Sequence, residues 1–275
     1  MPEIVTISSA YNFRIEIVKD IKTKAWPISR RKNQKPKTTK MKKCILALTG
    51  SIVALSGLTQ AQRIATIEIA YTTTTGVHNS VGGTSNSRSL LNTKYDFMRD
   101  AEARSVGNIN WRISGHFNAT YDEQDQTSTT QLNRLFFGSQ FNGFRRHRDQ
   151  QNGDMAQVFC DWTDTGILGL AFRPGWASVC RRPILTINSG TSPSVWTSTH
   201  EHGHNMNATH EQGHCMARLN ARTIMEPNNG SCSQRPRIGY FSSPTTSVDG
   251  RVIGNSSNDN RSVIRAQAPT TAAQQ

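Results

Sequence analysis

Apolar and polar positions alternate through "IATIEIAYTT" (64–73), a period of two in β-branched residues that predicts a strand. A Gly, Ser and Asn stretch at 76–89 separates it from "LLNTKYDFMRDAEARS" (90–105). There Leu91, Tyr95, Phe97, Met98 and Ala101 recur at helical spacing. Strand patterning returns in "NINWRISGHFNATYDE" (108–123), "MAQVFCDWT" (155–163) and "RPILTIN" (182–188). "STTQLNRLFFGSQFNGFRRHRDQ" (128–150) opens as a helix and passes into a basic polar loop. "GILGLAF" (166–172) is a short apolar segment. Beyond His214 the chain is irregular and rich in Pro, Gly, Asn and Ser, until a helix at about 257–268 with Val263, Ile264 and Ala266 on one side. Strands alternating with helices make an α/β order, and no internal repeat interrupts it.

The first sixty residues fall outside this pattern. "MKKCILALTGSIVALSGLTQAQ", from Met41, has two lysines, an apolar run from Cys44 to about Leu58 and small residues near Ala61. That is the layout of an export signal, and the run is too short and polar for a membrane span. Residues 1–40 are then expected to be a non-native upstream extension, with translation starting at Met41. Residues 41–61 form the signal peptide, and 62–275 one domain with a C-terminal subdomain from about 211.

This division changes the charge argument. Of the net +13, residues 1–40 hold +7 (ten basic against three acidic side chains), and Lys42 and Lys43 add +2. The remaining +4 removes the main support for nucleic-acid binding. The exported part keeps Cys160, Cys180, Cys215 and Cys232. An even count in an oxidising compartment favours two disulfides, and the short-loop pairing Cys160–Cys180 with Cys215–Cys232 is expected among three connectivities. The other possibility is buried free thiols. No C-x-x-C pair supports zinc–thiolate binding.

The candidate chemistry is in "THEHGHNMNATHEQGH" (199–214), with five of the eight histidines in the chain. His200 and His204 are one helical turn apart and can bind one Zn²⁺, with Glu201 placed to take a proton from a water. His210 follows His204 by six residues, the distance of the third ligand in H-E-x-x-H-x-x-G-x-x-H. The chain must turn near 207, where that pattern has Gly and this sequence has Asn207, the next residue most tolerant of a left-handed backbone. "TIMEP" (223–227) sets Met225 where a Met-turn would lie beneath the metal. A rival copy, "HEQGH" (210–214) with Glu211, lacks a third ligand, because Ala217 and Asn220 stand where Gly and His are required. His202 and His214 are then non-ligands facing solvent or the rim.

On these residues the chain resembles the metzincin zinc endopeptidases, in particular their bacterial reprolysin-like (adamalysin-like) branch. "HEHGHNMNATHE" is similar to the zinc helix and third-histidine turn. "RTIMEP" with "CSQRPRIGYFSSP" is similar to the Met-turn and the segment behind the specificity pocket. "VFCDWTDTGILGLAF" resembles the third and edge strands, and "NDNRSVIRAQ" the last helix. Pro227 stands where the astacin and serralysin branches have Tyr. The resemblance implies an α/β (α+β) metzincin-type fold: a twisted, mostly parallel sheet, a zinc helix on the cleft floor and a small irregular C-terminal subdomain. It also implies that Gly169, Leu170 and Ala171 line the rim where a substrate strand pairs.

The expectation is a monomeric, secreted or periplasmic zinc endopeptidase. One catalytic ion is held by His200, His204 and His210, Glu201 is the general base, and the substrates are proteins or peptides. Calcium is possible but not indicated, and neither nucleic acid nor stable membrane insertion is expected. The competing readings are a non-catalytic secreted binder on the same fold and a basic surface-binding protein that retains residues 1–40.

Overall fold

The computed structural model describes residues 3–8, 65–123, 126–187, 193–227 and 232–274. The chain divides into two units, one of residues 1–12 and 62–275, the other of residues 13–61, which lie outside the described residues. The signal-peptide expectation for 41–61 and most of the upstream stretch therefore fall outside them too. Among the described residues no helix is long and apolar enough to cross a membrane.

Unit one is built on a sheet of β1 (Glu3–Ser8), β2 (Ala65–Thr73), β3 (Ile109–Asn118), β4 (Met155–Cys160), β5 (Ile167–Arg173) and β6 (Ala177–Arg181), in the order β1-β5-β6-β4-β2-β3. β3, β2, β4 and β6 are parallel, and β5 is antiparallel to β6. β4 is buried at every position, as a central parallel strand covered on both faces must be. On one face Ile67, Ile69 and Tyr71 of β2 pack with Leu91, Met98, Trp196 and Ile264. Ala70 and Val158 point the other way, toward Leu132, Leu135, Phe141 and Phe144. After the short α1 (Thr75–Ser80), the helices α2 (Thr84–Ser105), α6 (Thr197–Asn205) and α7 (Asn260–Thr271) thus share one face with each other, and α3 (Ser128–Phe137) and α4 (Asn142–Gln150) the opposite one.

Three expectations change. The strand expected at 182–188 is the short helix α5 (Arg182–Thr186), and the strand is β6 just before it. Pro183 explains the shift, since it has no N–H for a ladder but is tolerated in a first helical turn. The basic loop expected before Gln150 is α4, in which Phe144 is buried and the Arg148 guanidinium stacks 4.0 Å from the Trp176 ring. Four arginine and histidine side chains in that stretch mask a single buried face. The Cys160–Cys180 disulfide is absent, and both thiols are free and buried. Phe159 is the cross-strand partner of Cys180, so Cys160 is one residue out of register and its side chain lies on the opposite face of the sheet. Cys215–Cys232 does form, beside the two-residue strands β7 (Cys215–Met216) and β8 (Ala221–Arg222).

β1 comes from the stretch expected to be an upstream extension. It pairs antiparallel with β5, Val5 opposite Ala171 and Thr6 opposite Leu170.

Candidate metal centre

The site starts from how α6 is seated. Ser198 donates its hydroxyl to Gln157 Oε1 at 2.5 Å, and Gln157 Nε2 donates to Ser178 Oγ and to the Ser198 carbonyl. At the other end Asn205 Nδ2 donates to the carbonyls of Phe172 and Ala177, both at 3.0 Å. These buried amides fix the helix across β4, β5 and β6. Residues 197–205 are buried throughout, including three histidines and a glutamate. Such burial needs a compensating partner for each polar group.

Neutral imidazoles supply part of that compensation. His200 Nδ1 donates to the Ile224 carbonyl at 2.8 Å, and His204 Nδ1 to the Ala208 carbonyl at 2.9 Å. With Nδ1 carrying the proton, each Nε2 presents a lone pair. The Nε2 atoms of His200, His204 and His210 lie 2.9, 2.9 and 3.2 Å from one another. Lone pairs that close repel unless a cation sits among them. A tetrahedral ion with bonds of about 2.0–2.1 Å would space its nitrogens about 3.3 Å apart, so the triangle fits a zinc-sized ion with a few tenths of an ångström of opening. Burial, then the positive charge of neighbouring histidines and Arg237, holds His200 and His204 well below the usual imidazole range. Burial brings His210 down to about 4. All three are therefore unprotonated near neutral pH, as ligation requires.

The turn that delivers His210 forms as the spacing requires. α6 ends at Asn205, and Asn207 takes φ 66° in place of the glycine. The Asn207 and Ala208 N–H groups close back onto the carbonyls of His204 and Gly203. Beneath, Met225 is fully buried, and a Cβ on Gly203 would come within 2.7 Å of its sulfur. Only a glycine lets the helix rest that closely on Met225.

Glu201 is fully buried, and neither carboxylate oxygen has a hydrogen-bond partner. It packs directly over the Gly169 backbone, so a Cβ there would strike the carboxylate. Burial raises its carboxyl well above the usual carboxylate range, and Arg237 pulls it back. Leu170 and Ala171 are buried within β5. The second H-E-x-x-H copy is not a helix: residues 210–214 form a turn, Glu211 is exposed and His214 is half-buried outside the triad. His202 does not face solvent. It lies behind the helix, 2% exposed, with Nε2 3.2 Å from the Tyr71 hydroxyl. Positions two apart on a helix point about 200° apart, so the residue midway between two ligands at i and i+4 turns to the opposite face, here into the core.

Residues 61–262 match the family described as Metallo-peptidase family M12. The chain belongs to that family. Its described residues hold a histidine triad and an α/β fold on a mostly parallel sheet, in keeping with the pattern of its sequence. No curated protein sequence matches it. Among solved structures it is similar to a chain titled "Structure of a chaperone-substrate complex", at 18% identity and a TM-score of 0.61. That match covers 77% of this chain and 35% of the other, so the M12 chain spans about a third of its relative's length, and the likeness is one of fold. Weaker matches are archaemetzincin from Methanopyrus kandleri (15% identity, TM-score 0.37, 62% of this chain and 88% of that) and metalloproteinase-II from Bacteroides fragilis (14%, 0.36, 66% and 51%).

Several residues that shape the site carry no motif. Gln157, Asn205 and Asn260 are each fully buried and bonded to the backbone around the triad. A lone amide in an otherwise apolar strand such as "MAQVFC" is the one signal that could have marked Gln157.

Proposed function

We propose that this metallopeptidase is an exported zinc endopeptidase in which Glu201 is the general base. The observation that carries the reading is the triangle of Nε2 atoms on His200, His204 and His210, with the unpartnered Glu201 carboxylate on the helix that holds two of them. His200, His204 and His210 would hold a zinc ion, whose chemistry when bound would be to lower the pKa of a water and polarise the scissile carbonyl. Glu201 accepts the proton of the attacking water and hands it to the departing amine. The carbonyls of Ile224 and Ala208 keep His200 and His204 in the ligating tautomer.

The substrate is read as an extended peptide added to the outer edge of β5, past Gly169, Leu170 and Ala171. β1 supports this, since it lies antiparallel along that edge as a peptide strand would. A substrate strand has to take its place. Removal of the first sixty residues on export would carry β1 away, and N-terminal sequencing of the exported product checks that cleavage.

The test of the chemistry is Glu201→Ala in the full chain. Zinc content is expected to stay at one ion per chain while cleavage of a generic protein substrate disappears. Zinc loss with hydrolysis retained would contradict the assignment.

A further inference from the structure

The third ligand sits on a turn that has neither helix nor strand to hold it. Residues 207–213 leave α6, reverse through Asn207 and pass into β7. A turn of this kind must find other partners for its backbone polar groups. Here they come from the start of α7, about fifty residues later in the chain. Asn260, fully buried at the first position of that helix, accepts the Thr209 N–H on Oδ1 at 2.9 Å and donates Nδ2 to the Thr209 carbonyl at 3.1 Å. Asn258 Nδ2 donates to the carbonyls of Gly213, at 2.6 Å, and Glu211, at 3.2 Å. Ser242 Oγ donates to the Gln212 carbonyl at 2.5 Å and accepts the Asn260 N–H at 3.1 Å. Asp259, between the two asparagines, points away and caps α7 through Ser262.

We infer that Asn260, assisted by Asn258, is a positioning residue for the metal site: it clamps the residue preceding His210 on both its N–H and its carbonyl, and so sets where the third imidazole points. The inference rests on the reading of His200, His204 and His210 as zinc ligands. The two-sided clamp is specific to a primary amide. One group must accept from Thr209 and the other donate to it, and neither Asp nor Leu does both. It also gives "NDN" (258–260) a purpose beyond starting a helix. The left-handed Asn207 reverses the chain, while the amides of Asn258 and Asn260 hold the arm that results. Two of the three ligands are placed by one helix, and the third is placed by the C-terminal end of the fold.

Residues that hold a metal ligand in place typically contribute 10- to 100-fold in metal affinity. Zinc affinity of the full chain by chelator competition, and the visible spectrum of the cobalt(II)-substituted protein, are the two readouts. Asn260→Ala is expected to weaken zinc binding about 10- to 100-fold and to alter the cobalt spectrum. Asn258→Ala, at a half-buried position, should weaken it several-fold with the fold retained. Ala268→Gly, two helical turns further along α7 than Asn260, trims its buried face and serves as control, lowering the melting temperature with zinc affinity unchanged. If Asn260→Ala melts earlier but keeps wild-type zinc affinity and spectrum, the residue is merely structural and the inference is overturned. Should that variant fail to fold, Asn258→Ala decides, and unchanged affinity there overturns it equally. Failure of the wild-type chain to bind zinc at all would remove the protease reading along with this one.

Discussion

Residues 200–204 and 210–214 spell the same five-residue pattern, yet the fold uses them in opposite ways. The first copy is helical and fully buried, with two imidazoles turned to a common point and a carboxylate against β5. The second is a turn whose glutamate is exposed, and which contributes its first histidine to the other copy's site. Spacing makes a ligand pair only if the backbone is helical and the neighbouring elements exclude water. Both conditions come from the surroundings of the motif.

The largest test of this contrast is the paired removal of the two glutamates. Glu201→Ala should lower kcat/KM by about 10²–10⁴-fold, the usual contribution of a general base. Glu211→Ala should leave it within about twofold, because an exposed side chain outside the triad touches neither metal nor substrate. Steady-state assays on one peptide substrate measure both, and equal losses would erase the distinction.

The disulfide sharpens the comparison at the second copy. Cys215 directly follows His214, and its bond to Cys232 closes a loop of sequence separation 17. Cys232→Ser should reduce unfolding free energy by about 3 kcal/mol in denaturant titrations. Thiol titration of the unfolded wild-type chain should find Cys160 and Cys180 reactive before any reductant is added.

A smaller effect probes the close approach of β5 and the first copy. Gly169→Ala places a methyl group against the Glu201 carboxylate. It is expected to lower kcat by about 10- to 100-fold through displacement of the base, with zinc content unchanged. Normal turnover in that variant would mean that Glu201 does not need its observed position.

The last test concerns the packing behind α6. Glu102 lines a small buried space with Trp111, His202 and Met206, and burial raises its carboxyl from 4.5 to about 7. An acid whose folded pKa is raised binds its proton more tightly in the native state. Its contribution is fully present below pH 4.5 and is lost as pH rises from there to about 7. Wild-type stability should therefore decline across that window by on the order of 1–3 kcal/mol from this group. Glu102→Gln should flatten the decline, as read from denaturant midpoints at a series of pH values.

The parts legible from sequence are those where local pattern and final environment agree. The β2 alternation, the Leu91–Met98–Ala101 face of α2 and the register of the triad all read directly, because a period of two or 3.6 already implies which side is covered. α4 was hidden by its charges, and β6 by the proline just after it. Cys160 and Cys180 show the limit of spacing arguments. A separation of twenty residues suits a disulfide loop, but the one-residue stagger across the sheet that forbids the bond is set by strand pairing alone.

What the sequence determined by itself is the chemistry: three imidazoles, a carboxylate and a methionine at intervals fixed by the geometry of one helix and one turn. Those intervals act within a few residues, where covalent connection limits the conformations available. What only the tertiary structure decided is which groups surround that chemistry. His202 faces Tyr71, Gly169 lies under Glu201, Asn260 grips Thr209, and β1 lies along β5. Each of those contacts joins residues far apart in the chain. They form only once burial of the two cores has brought the strands and helices together, and no local period records them.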